Sequence, residues 1–302
     1  MEQRVRPVIE TEHLSKRYGR HEALRGLDLV VPRGVVFGYL GPNGAGKTTT
    51  IRLLVGLLRP TSGSVTVLGE DVVAARDSVQ RRVGYLPGHF VAYPDLTGEQ
   101  YLRFLGHLRG GTPWHQVEQL AKRFDLDLTR RIGTLSHGNR QKVGILQAFA
   151  HEPELIVLDE PTTGLDPLVQ REFLELVRES RALGRTVFLS SHVLSEVEAV
   201  ADMVAVLSAG ELVVVQAVET LKQQARRRVD MVFEDVAPAE ALRAAAGVHD
   251  VSTQGREAFV TVEGSMAPLL SAAAPYRIDR LVTHEPDLEQ IFLDYYDATG
   301  AT

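Results

Sequence analysis

The stretch "GPNGAGKT", residues 41–48, combines glycines, a lysine and a threonine between a predicted strand and a predicted helix. It fits the pattern G-x-x-x-x-G-K-[ST], in which glycines let backbone N–H groups turn toward phosphate oxygens and the helix N-terminus adds its positive dipole end. Lys47 is expected to contact the β- and γ-phosphates of a nucleotide, and the Thr48 hydroxyl to bind Mg²⁺. The nucleotide-binding residues predicted here are Gly41, Pro42, Asn43, Gly44, Ala45, Gly46, Lys47, Thr48 and Thr49.

Two carboxylates end the apolar run "LIVLDE", residues 155–160. Open α/β sheets bind ligands at the carboxyl ends of their strands, so a buried strand would deliver both carboxylates to the phosphates. Asp159 is predicted to bind nucleotide by holding Mg²⁺, through a water molecule. Glu160 is predicted to be catalytic, orienting or deprotonating the water that attacks the γ-phosphate. An acidic strand end without a ligand is the alternative, and the upstream phosphate loop disfavours it.

Two more side chains have a chemical and a purely structural interpretation. His192, in "LSSH" at the end of the next predicted strand, is a catalytic candidate that could hydrogen-bond the γ-phosphate, although a lone histidine is more often structural. Tyr18, in "KRYG" at the end of an early strand, could stack on adenine or be an ordinary exposed tyrosine. The residues alone leave both choices open.

The stretch "LSHGNRQKVG", residues 135–144, has no evident partner in its own neighbourhood. It offers no metal-ligand spacing, and its neighbours supply no nucleophile–base pair. A small hydroxyl and a glycine before a helical run would let a helix N-terminus approach a phosphate closely.

In order along the chain, these motifs resemble those of the nucleotide-binding subunits of ABC transporters. The resemblance covers about residues 8–216. Its motifs are "KRYG" (A-loop), "GPNGAGKT" (Walker A), "LSHGNRQ" (signature), "LIVLDEP" (Walker B), "TTGLD" (D-loop) and "SSH" (switch histidine).

The resemblance implies ATP and Mg²⁺ as cofactors and a pair of cassettes arranged head to tail. Ser136 and the Gly138 backbone would then bind the γ-phosphate held by the partner cassette. Asp166, in the D-loop, would lie beside the nucleotide bound at the opposite site of the cassette pair and would sense that site. In this arrangement the signature stretch, which has no evident partner in its own chain, binds the nucleotide of the partner cassette.

The sequence departs from the family pattern at three places. His137 and Asn139 stand where the signature usually has glycine and glutamine, whereas Ser136 and Gly138 are kept. The Q-loop glutamine falls on Gly88, which has no side-chain oxygen. Replacement by His89, replacement by water, and loss of the contact all remain open.

Strands alternating with helices predict an α/β fold with a parallel sheet. With the resemblance, the expected architecture is a P-loop NTPase ABC cassette over residues 1–216. It has a mostly parallel sheet core, an antiparallel β subdomain and a helical subdomain at about 89–150. Composition changes near residue 217, and 217–302 are expected to form a small α+β accessory domain, ferredoxin-like in arrangement, whose role in dimer contact or regulation is open. The basic run 226–228 could touch acidic lipid or form a solvated hinge, and the hinge is the simpler interpretation.

The bulk composition narrows the function classes. The chain has 302 residues and no cysteine, and the absence of cysteine excludes disulfides and cysteine nucleophiles. Its formal net charge of −6 argues against a nucleic-acid partner. No segment approaches the roughly 18 apolar residues that span a bilayer, and the N-terminus has no apolar signal core. We therefore expect the chain at the cytoplasmic side of the cell membrane, peripheral through a partner.

Finer features resemble bacterial ABC-2-type exporter ATPases of the drug and antibiotic efflux group. They are "GYLPGHF", "YPDLTG", "LSHGNRQKVG" and the tail "EPDLEQIFLDYY". The resemblance implies an ATPase that powers efflux of drugs, antibiotics or similar amphipathic molecules through a separate permease of about six spanning helices, with a second ATPase subunit in a homodimer. A soluble ATPase acting on ribosomes or DNA, and an importer ATPase, are the alternatives. A single cassette without sustained heptads disfavours the first of these.

Overall fold

The computed structural model describes residues 6–224 and 226–284. Its strands are β1 (Ile9–Tyr18), β2 (His21–Val31), β3 (Val36–Leu40), β4 (Ser62–Val67), β5 (Glu70–Asp71), β6 (Val83–Leu86), β7 (Leu155–Asp159), β8 (Thr186–Ser191), β9 (Met203–Ser208), β10 (Glu211–Ala217), β11 (Arg227–Phe233), β12 (Val248–Gln254), β13 (Glu257–Val262) and β14 (Ile278–His284). Its α-helices are α1 (Lys47–Leu54), α2 (Arg76–Arg82), α3 (Gly98–Arg109), α4 (Trp114–Arg123), α5 (His137–Phe149), α6 (Pro167–Ala182), α7 (Leu194–Val200), α8 (Val218–Gln224), α9 (Ala239–Arg243) and α10 (Ala267–Ala273). The chain divides into two compact units, Met1–Val215 and Gln216–Thr302.

A six-stranded sheet of order β10-β9-β3-β8-β7-β6 forms the centre of the first unit. β3 pairs with β8 and β9, and β7 with β6 and β8, all in parallel. Every residue of β3, β7 and β8 is buried, as expected for strands covered on both faces. The predicted mostly parallel α/β core is confirmed, and the carboxyl ends of its strands meet at one edge.

A second, four-stranded sheet of order β2-β1-β4-β5 lies beside this core. β1 runs antiparallel to both β2 and β4, and the β1–β2 hairpin turns between Tyr18 and His21, which face each other across the ladder. Leucines of the hairpin, such as Leu14 and Leu27, are buried in the same apolar cluster as Phe37 of β3. This packing holds the hairpin turn against the central sheet.

The region after β6 is mainly helical, as predicted. Thr97 and Gln100 form a capping box at the start of α3, and Gly110 ends that helix in the left-handed conformation. Ser136 caps α5 by accepting a hydrogen bond from the Asn139 amide at 3.3 Å. The buried face of α5 includes Val143 and Leu146 and anchors this region to the core.

The second unit follows the order strand, helix, strand, strand, helix, strand, from β11 to β14. Its antiparallel sheet has the order β12-β13-β11-β14. Alternate residues of β11, Val229, Met231 and Phe233, belong to a separate apolar cluster with α9 and α10. The tail "EPDLEQIFLDYY", residues 285–296, lies outside the described residues.

The basic run 226–228 leads into β11. Arg226 lies 3.7 Å from Glu263, and Arg228 lies 2.9 Å from Asp230. Two of its three guanidinium groups are therefore already paired with carboxylates. Across 6–224 and 226–284, no helix is both long and apolar enough to cross a bilayer.

Candidate nucleotide site

A cavity of about 470 Å³ opens at the carboxyl edge of the parallel sheet. The phosphate loop follows β3, Glu160 follows β7, and His192 follows β8, so the sheet delivers all three to one place. The lining residues are Tyr18, His21, Ala23, Pro42, Asn43, Gly44, Gly46, Lys47, Thr48, Thr49, Gly88, Glu160, Thr163 and His192.

The phosphate loop depends on glycine where the backbone is left-handed and crowded. Gly46 precedes α1 at φ 110°, and a Cβ there would lie 2.6 Å from the Ala23 carbonyl oxygen. Lys47 begins α1 and is buried, yet its Nζ donates to the Gly41 carbonyl at 2.5 Å and lies 3.8 Å from Glu160 Oε1. The ammonium group is thus held inside the loop, where phosphate oxygens would be within its reach.

One serine positions the two acidic residues at the end of β7. Ser190 Oγ donates to Asp159 Oδ1 at 2.7 Å and accepts from the Glu160 amide at 3.2 Å. Asp159 is buried, whereas Glu160 lines the cavity. The Glu160 backbone is left-handed at φ 50°, a conformation that costs free energy for a non-glycine residue and is typical of functional sites. The turn directs the two adjacent side chains to different surroundings.

His192 contacts the predicted catalytic carboxylate directly. Its Nδ1 is hydrogen-bonded to Glu160 Oε2. The imidazole is more than half exposed, at 57%, whereas the Glu160 side chain is 20% exposed. Glu160 therefore has the Lys47 ammonium on one side and the His192 imidazole on the other.

The opposite end of the cavity is formed by the β1–β2 hairpin. Tyr18 is 45% exposed, and Lys16 Nζ lies 5.4 Å from the centre of its ring. His21 and Ala23 line the same end. An exposed aromatic face beside an imidazole offers a surface on which a flat base can stack.

Gly88 lines the cavity, whereas His89 is exposed and is not among the lining residues. A Cβ at Gly88 would lie 3.2 Å from the Asp159 carbonyl oxygen and 3.4 Å from its Oδ2. The backbone at this position therefore approaches Asp159 closely. Of the alternatives left open by the sequence, the position of His89 disfavours replacement by its imidazole.

The signature stretch packs against the D-loop of its own chain. The His137 ring covers Gly164, where a Cβ would lie 2.2 Å from Cδ2 of the imidazole. A Cβ at Gly138 would lie 2.9 Å from the Gly164 carbonyl oxygen, and buried Gln141 donates to the Pro161 carbonyl at 2.9 Å. Ser136 itself is exposed at the start of α5.

Asp166 is exposed and caps α6. Its Oδ1 accepts from the Leu168 and Val169 amides, both at 3.1 Å. A capping carboxylate at a helix N-terminus also interacts favourably with the helix dipole. The structure therefore gives Asp166 a local role in α6.

Most, but not all, of the predicted residues meet at the cavity. Those outside its lining are Gly41, Ala45, Ser136, Gly138, Asp159 and Asp166. Sequence reasoning missed His21, Ala23, Thr163 and Ser190 as parts of the site. Ser190 and Thr163 had a signal, since they belong to the "SSH" and "TTGLD" motifs, whereas His21 and Ala23 reach the site only through packing.

A hydrogen-bonded acidic group lies behind the site. Thr162 Oγ1 donates to Glu196 Oε2 at 2.7 Å, and burial raises the pKa of Glu196 while this hydrogen bond opposes the rise. The Glu160 carboxylate adds to the rise. In the described part of the chain, no cluster of three or more histidine, aspartate or glutamate side chains could hold a metal ion. A cation here would need ligands from bound phosphates and water.

Comparison with known proteins agrees with this geometry. The ABC transporter family profile matches residues 24–163. The daunorubicin resistance ATP-binding protein DrrA3 of Streptomyces coeruleorubidus is 36% identical over 300 residues, covering 95% of each chain. The linearmycin resistance ATP-binding protein LnrL of Bacillus subtilis is 31% identical over 313 residues, covering 98% of this chain and 99% of the relative.

Solved structures show the same fold. A structure described as the ATP-binding subunit of an ABC transporter superposes with a TM-score of 0.67 at 32% identity. The match covers 72% of this chain and 92% of the other. The expected P-loop cassette fold is confirmed.

Proposed function

This chain belongs to the ATP-binding subunits of ABC transporters, and we propose that it hydrolyses ATP with Glu160 as the base, to power export through a separate membrane subunit. ATP binding and hydrolysis are properties of this family. The observation that carries the residue assignment is the meeting of the phosphate loop, Glu160 and His192 at one cavity. The hairpin end of that cavity, with Tyr18, would receive the adenine.

The residues present fit a nucleotide-bound Mg²⁺. Thr48 lines the cavity with a hydroxyl, and Asp159 has a carboxylate whose Oδ1 is engaged by Ser190. One hydroxyl and one carboxylate, with phosphate and water ligands, match the oxygen set that Mg²⁺ prefers. Thr48 would bind the ion directly and Asp159 through water, and the ion would neutralise charge on the β- and γ-phosphates.

The protein's own groups can activate and orient the attacking water. Glu160 has two carboxylate oxygens, one 3.8 Å from Lys47 Nζ and the other hydrogen-bonded to His192. Binding of the γ-phosphate would draw the Lys47 ammonium and the His192 imidazole toward its oxygens. The Glu160 carboxylate would then be free to accept a proton from the water.

A second cassette would complete the site. Ser136 and Gly138 lie outside their own chain's nucleotide cavity, and Ser136 is exposed at the N-terminus of α5. A helix N-terminus with a small hydroxyl suits phosphate binding. In a head-to-tail homodimer it would cap the γ-phosphate of the partner, with Asp166 nearby.

Relatives supply the support for an export function. DrrA3 and LnrL, which align over almost the whole chain, are by their names resistance proteins against daunorubicin and linearmycin. We infer that this chain drives efflux of a drug, an antibiotic or a similar amphipathic molecule. The permease would have about six spanning helices, and the ATPase would be peripheral on the cytoplasmic face of the membrane.

We also infer the domain organisation from both units. Residues 1–216 would be the cassette, with a helical subdomain at about 89–150, and 217–302 an accessory domain. The strand and helix order of the second unit, with the sheet order β12-β13-β11-β14, supports a ferredoxin-like arrangement.

Glu160→Gln tests the proposed chemistry. The amide keeps the shape of the side chain but cannot take a proton from water. ATP turnover should therefore fall about 100-fold or more, which is the usual range for loss of a general base. ATP binding should persist, and a dimer should accumulate with ATP in size-exclusion chromatography.

Glu175→Gln is the matched control, because Glu175 pairs with Arg178 on the surface of α6. It should hydrolyse ATP like the wild type. Wild-type turnover by Glu160→Gln would refute the assigned role. Full activity of the wild type as a strict monomer would refute the composite site.

A further inference from the structure

A half-buried carboxylate that the proposed chemistry does not use lies behind the nucleotide cavity. Glu196 belongs to the first turn of α7 and is not among the residues that line the cavity. Its Oε2 accepts a hydrogen bond from Thr162 Oγ1 at 2.7 Å and lies 3.5 Å from Ser191 Oγ. Thr162 and Ser191 are both buried. Two neutral hydroxyl groups from separate segments of the chain therefore meet at one carboxylate oxygen.

The surroundings of Glu196 disfavour its charged form. Burial raises the pKa of this carboxyl, the hydrogen bonds from Thr162 and Ser191 oppose the rise, Glu160 adds to it, and His192 opposes it. Within residues 6–224 and 226–284, no lysine or arginine forms an ion pair with Glu196. An apolar side chain would avoid the cost of burying this charge. A carboxylate at this place indicates that its acceptor oxygens are needed.

The first of the two hydroxyls lies just after the proposed base. Thr162 follows Glu160 by two residues and is the start of the "TTGLD" motif. The residue between them, Pro161, accepts a hydrogen bond at its carbonyl from Gln141 of α5 at 2.9 Å. Contacts from α5 and, through Glu196, from α7 therefore hold the segment that follows the base.

The second hydroxyl lies just before the switch histidine. Ser191 ends β8 and precedes His192 directly. Its Oγ accepts from the Val193 amide at 2.9 Å, which closes the turn that carries the imidazole. One oxygen of Glu196 therefore contacts both this turn and the segment after Glu160.

We propose that Glu196 is a positioning residue for ATP hydrolysis, whose carboxylate links the backbone segments that carry Glu160 and His192 and fixes the distance between those two side chains. The inference rests on the proposed function, since it concerns the same base and the same histidine. A γ-phosphate would have to meet the imidazole while its attacking water meets the Glu160 carboxylate. Glu196 acts here as a hydrogen-bond acceptor, and the reacting groups do not touch it.

Thr162→Val tests the link from the donor side, in the purified full chain. It removes the hydroxyl and keeps the shape of the side chain. The kcat for ATP should fall about tenfold or more, because a displacement of reacting groups by about 1 Å can cost about 100-fold in rate. The KM for ATP should stay near its wild-type value, because the phosphate loop is unchanged. Thr162→Ser keeps the hydroxyl and should keep the wild-type kcat.

Variants of Glu196 test the link from the acceptor side. Glu196→Ala should lose as much kcat as Thr162→Val, whereas Glu196→Gln keeps an acceptor oxygen and should stay near the wild-type kcat. The double variant Thr162→Val/Glu196→Ala should be no slower than Glu196→Ala, because both changes remove the same hydrogen bond. Glu198→Gln is the matched control. It changes an acid two positions along the same helix, on a different face, and should have the wild-type kcat.

Circular dichroism shows which variants fold, and if Glu196→Ala does not, the variants of Thr162 and Glu196→Gln decide. Wild-type kcat in folded Thr162→Val, equal losses in Glu196→Gln and Glu196→Ala, or additive losses in the double variant would overturn the inference. A rise in KM with unchanged kcat would overturn it as well. Each of these results would leave the proposed function intact. That function fails only if the wild type does not hydrolyse ATP or if Glu160→Gln hydrolyses it at the wild-type rate.

Discussion

A single hydroxyl, that of Ser190, links the two acidic residues of the nucleotide site. It donates to Asp159 and accepts from the amide of Glu160. The side chain thereby fixes the turn in which the backbone becomes left-handed. Because Ser190 is fully buried, this positioning is insulated from solvent. A contact from the neighbouring strand thus places the side chains of two adjacent residues, with different roles, in different surroundings.

His151 is the residue from which a pH effect follows. Its pKa is lowered from 6.5 to about 4, first by burial and then by the nearby Arg109. Between pH 6.5 and pH 4, the His151 imidazole binds a proton in the unfolded chain but not in the folded chain. The free energy of unfolding therefore falls as the pH falls from 6.5 toward 4.

We therefore expect His151→Gln to resist mild acid better than the wild type. From pH 7.5 to pH 5 the wild type should lose roughly 2 kcal/mol more of its unfolding free energy than the variant does. Urea denaturation at both pH values measures the difference. Equal losses of unfolding free energy in the two proteins would show that His151 does not cause the pH dependence. Both proteins have the same carboxylates, so the contribution of these groups cancels in the comparison.

At the scale of elements, α5 and β6 pack unusually closely. A Cβ at Gly84 of β6 would lie 1.9 Å from the Ala148 carbonyl oxygen. A Cβ at Gly144 of α5 would lie 2.5 Å from Leu86 Cδ1 and 3.0 Å from the Phe90 ring. Glycines on both elements let the signature helix approach the central sheet, which determines where its N-terminus lies.

Gly84→Ala should accordingly be severely destabilising. The new methyl meets a backbone oxygen that can move only if α5 moves, so the unfolding free energy should fall by about 3 kcal/mol or more. Gly106→Ala is the comparison within α3, since its methyl would lie 3.1 Å from the Thr112 side chain, which can adjust.

The gain in helix propensity of about 1 kcal/mol should offset much of the cost at Gly106. Chemical denaturation of the two variants ranks them. A Gly84→Ala protein as stable as Gly106→Ala would contradict the close packing.

Several of these elements carry clear sequence patterns. The apolar runs of β7, β8 and β9 and the start of α6 at Pro167 follow from local signals, an uninterrupted apolar segment or a proline at the first helical turn. The short helix α2 was not predicted. It buries only Val79 and has no side-chain cap, so its sequence carries little helical signal and its contacts with the core decide its conformation.

At the scale of the whole molecule, each unit has its own apolar core. The second core includes Phe233, Leu242 and Val260, all fully or almost fully buried. The one tryptophan of the chain, Trp114, lies in the first unit. Tryptophan fluorescence therefore reports the first unit alone, whereas circular dichroism reports both.

Leu242→Ala should separate the two signals. Loss of a buried leucine lowers the free energy of unfolding by about 2–5 kcal/mol. The part of the circular dichroism transition that comes from the second unit should therefore move to a lower denaturant concentration. The fluorescence transition should stay at its wild-type denaturant concentration. Leu270→Ala, at a position 43% exposed, should change neither signal appreciably. A parallel shift of both transitions in Leu242→Ala would mean that the units unfold as one.

The sequence by itself determined the phosphate loop, the acidic strand end, the cassette fold and the family, because each depends on residues that are adjacent or regularly spaced. Tertiary structure alone decided that Ser190 contacts both the Asp159 carboxylate and the Glu160 amide, that His192 meets Glu160, and that Arg109 lies beside His151. These pairs are separated by dozens of residues along the chain. They meet because of the order of strands in the sheet and the close packing of helices on it, and local spacing encodes neither.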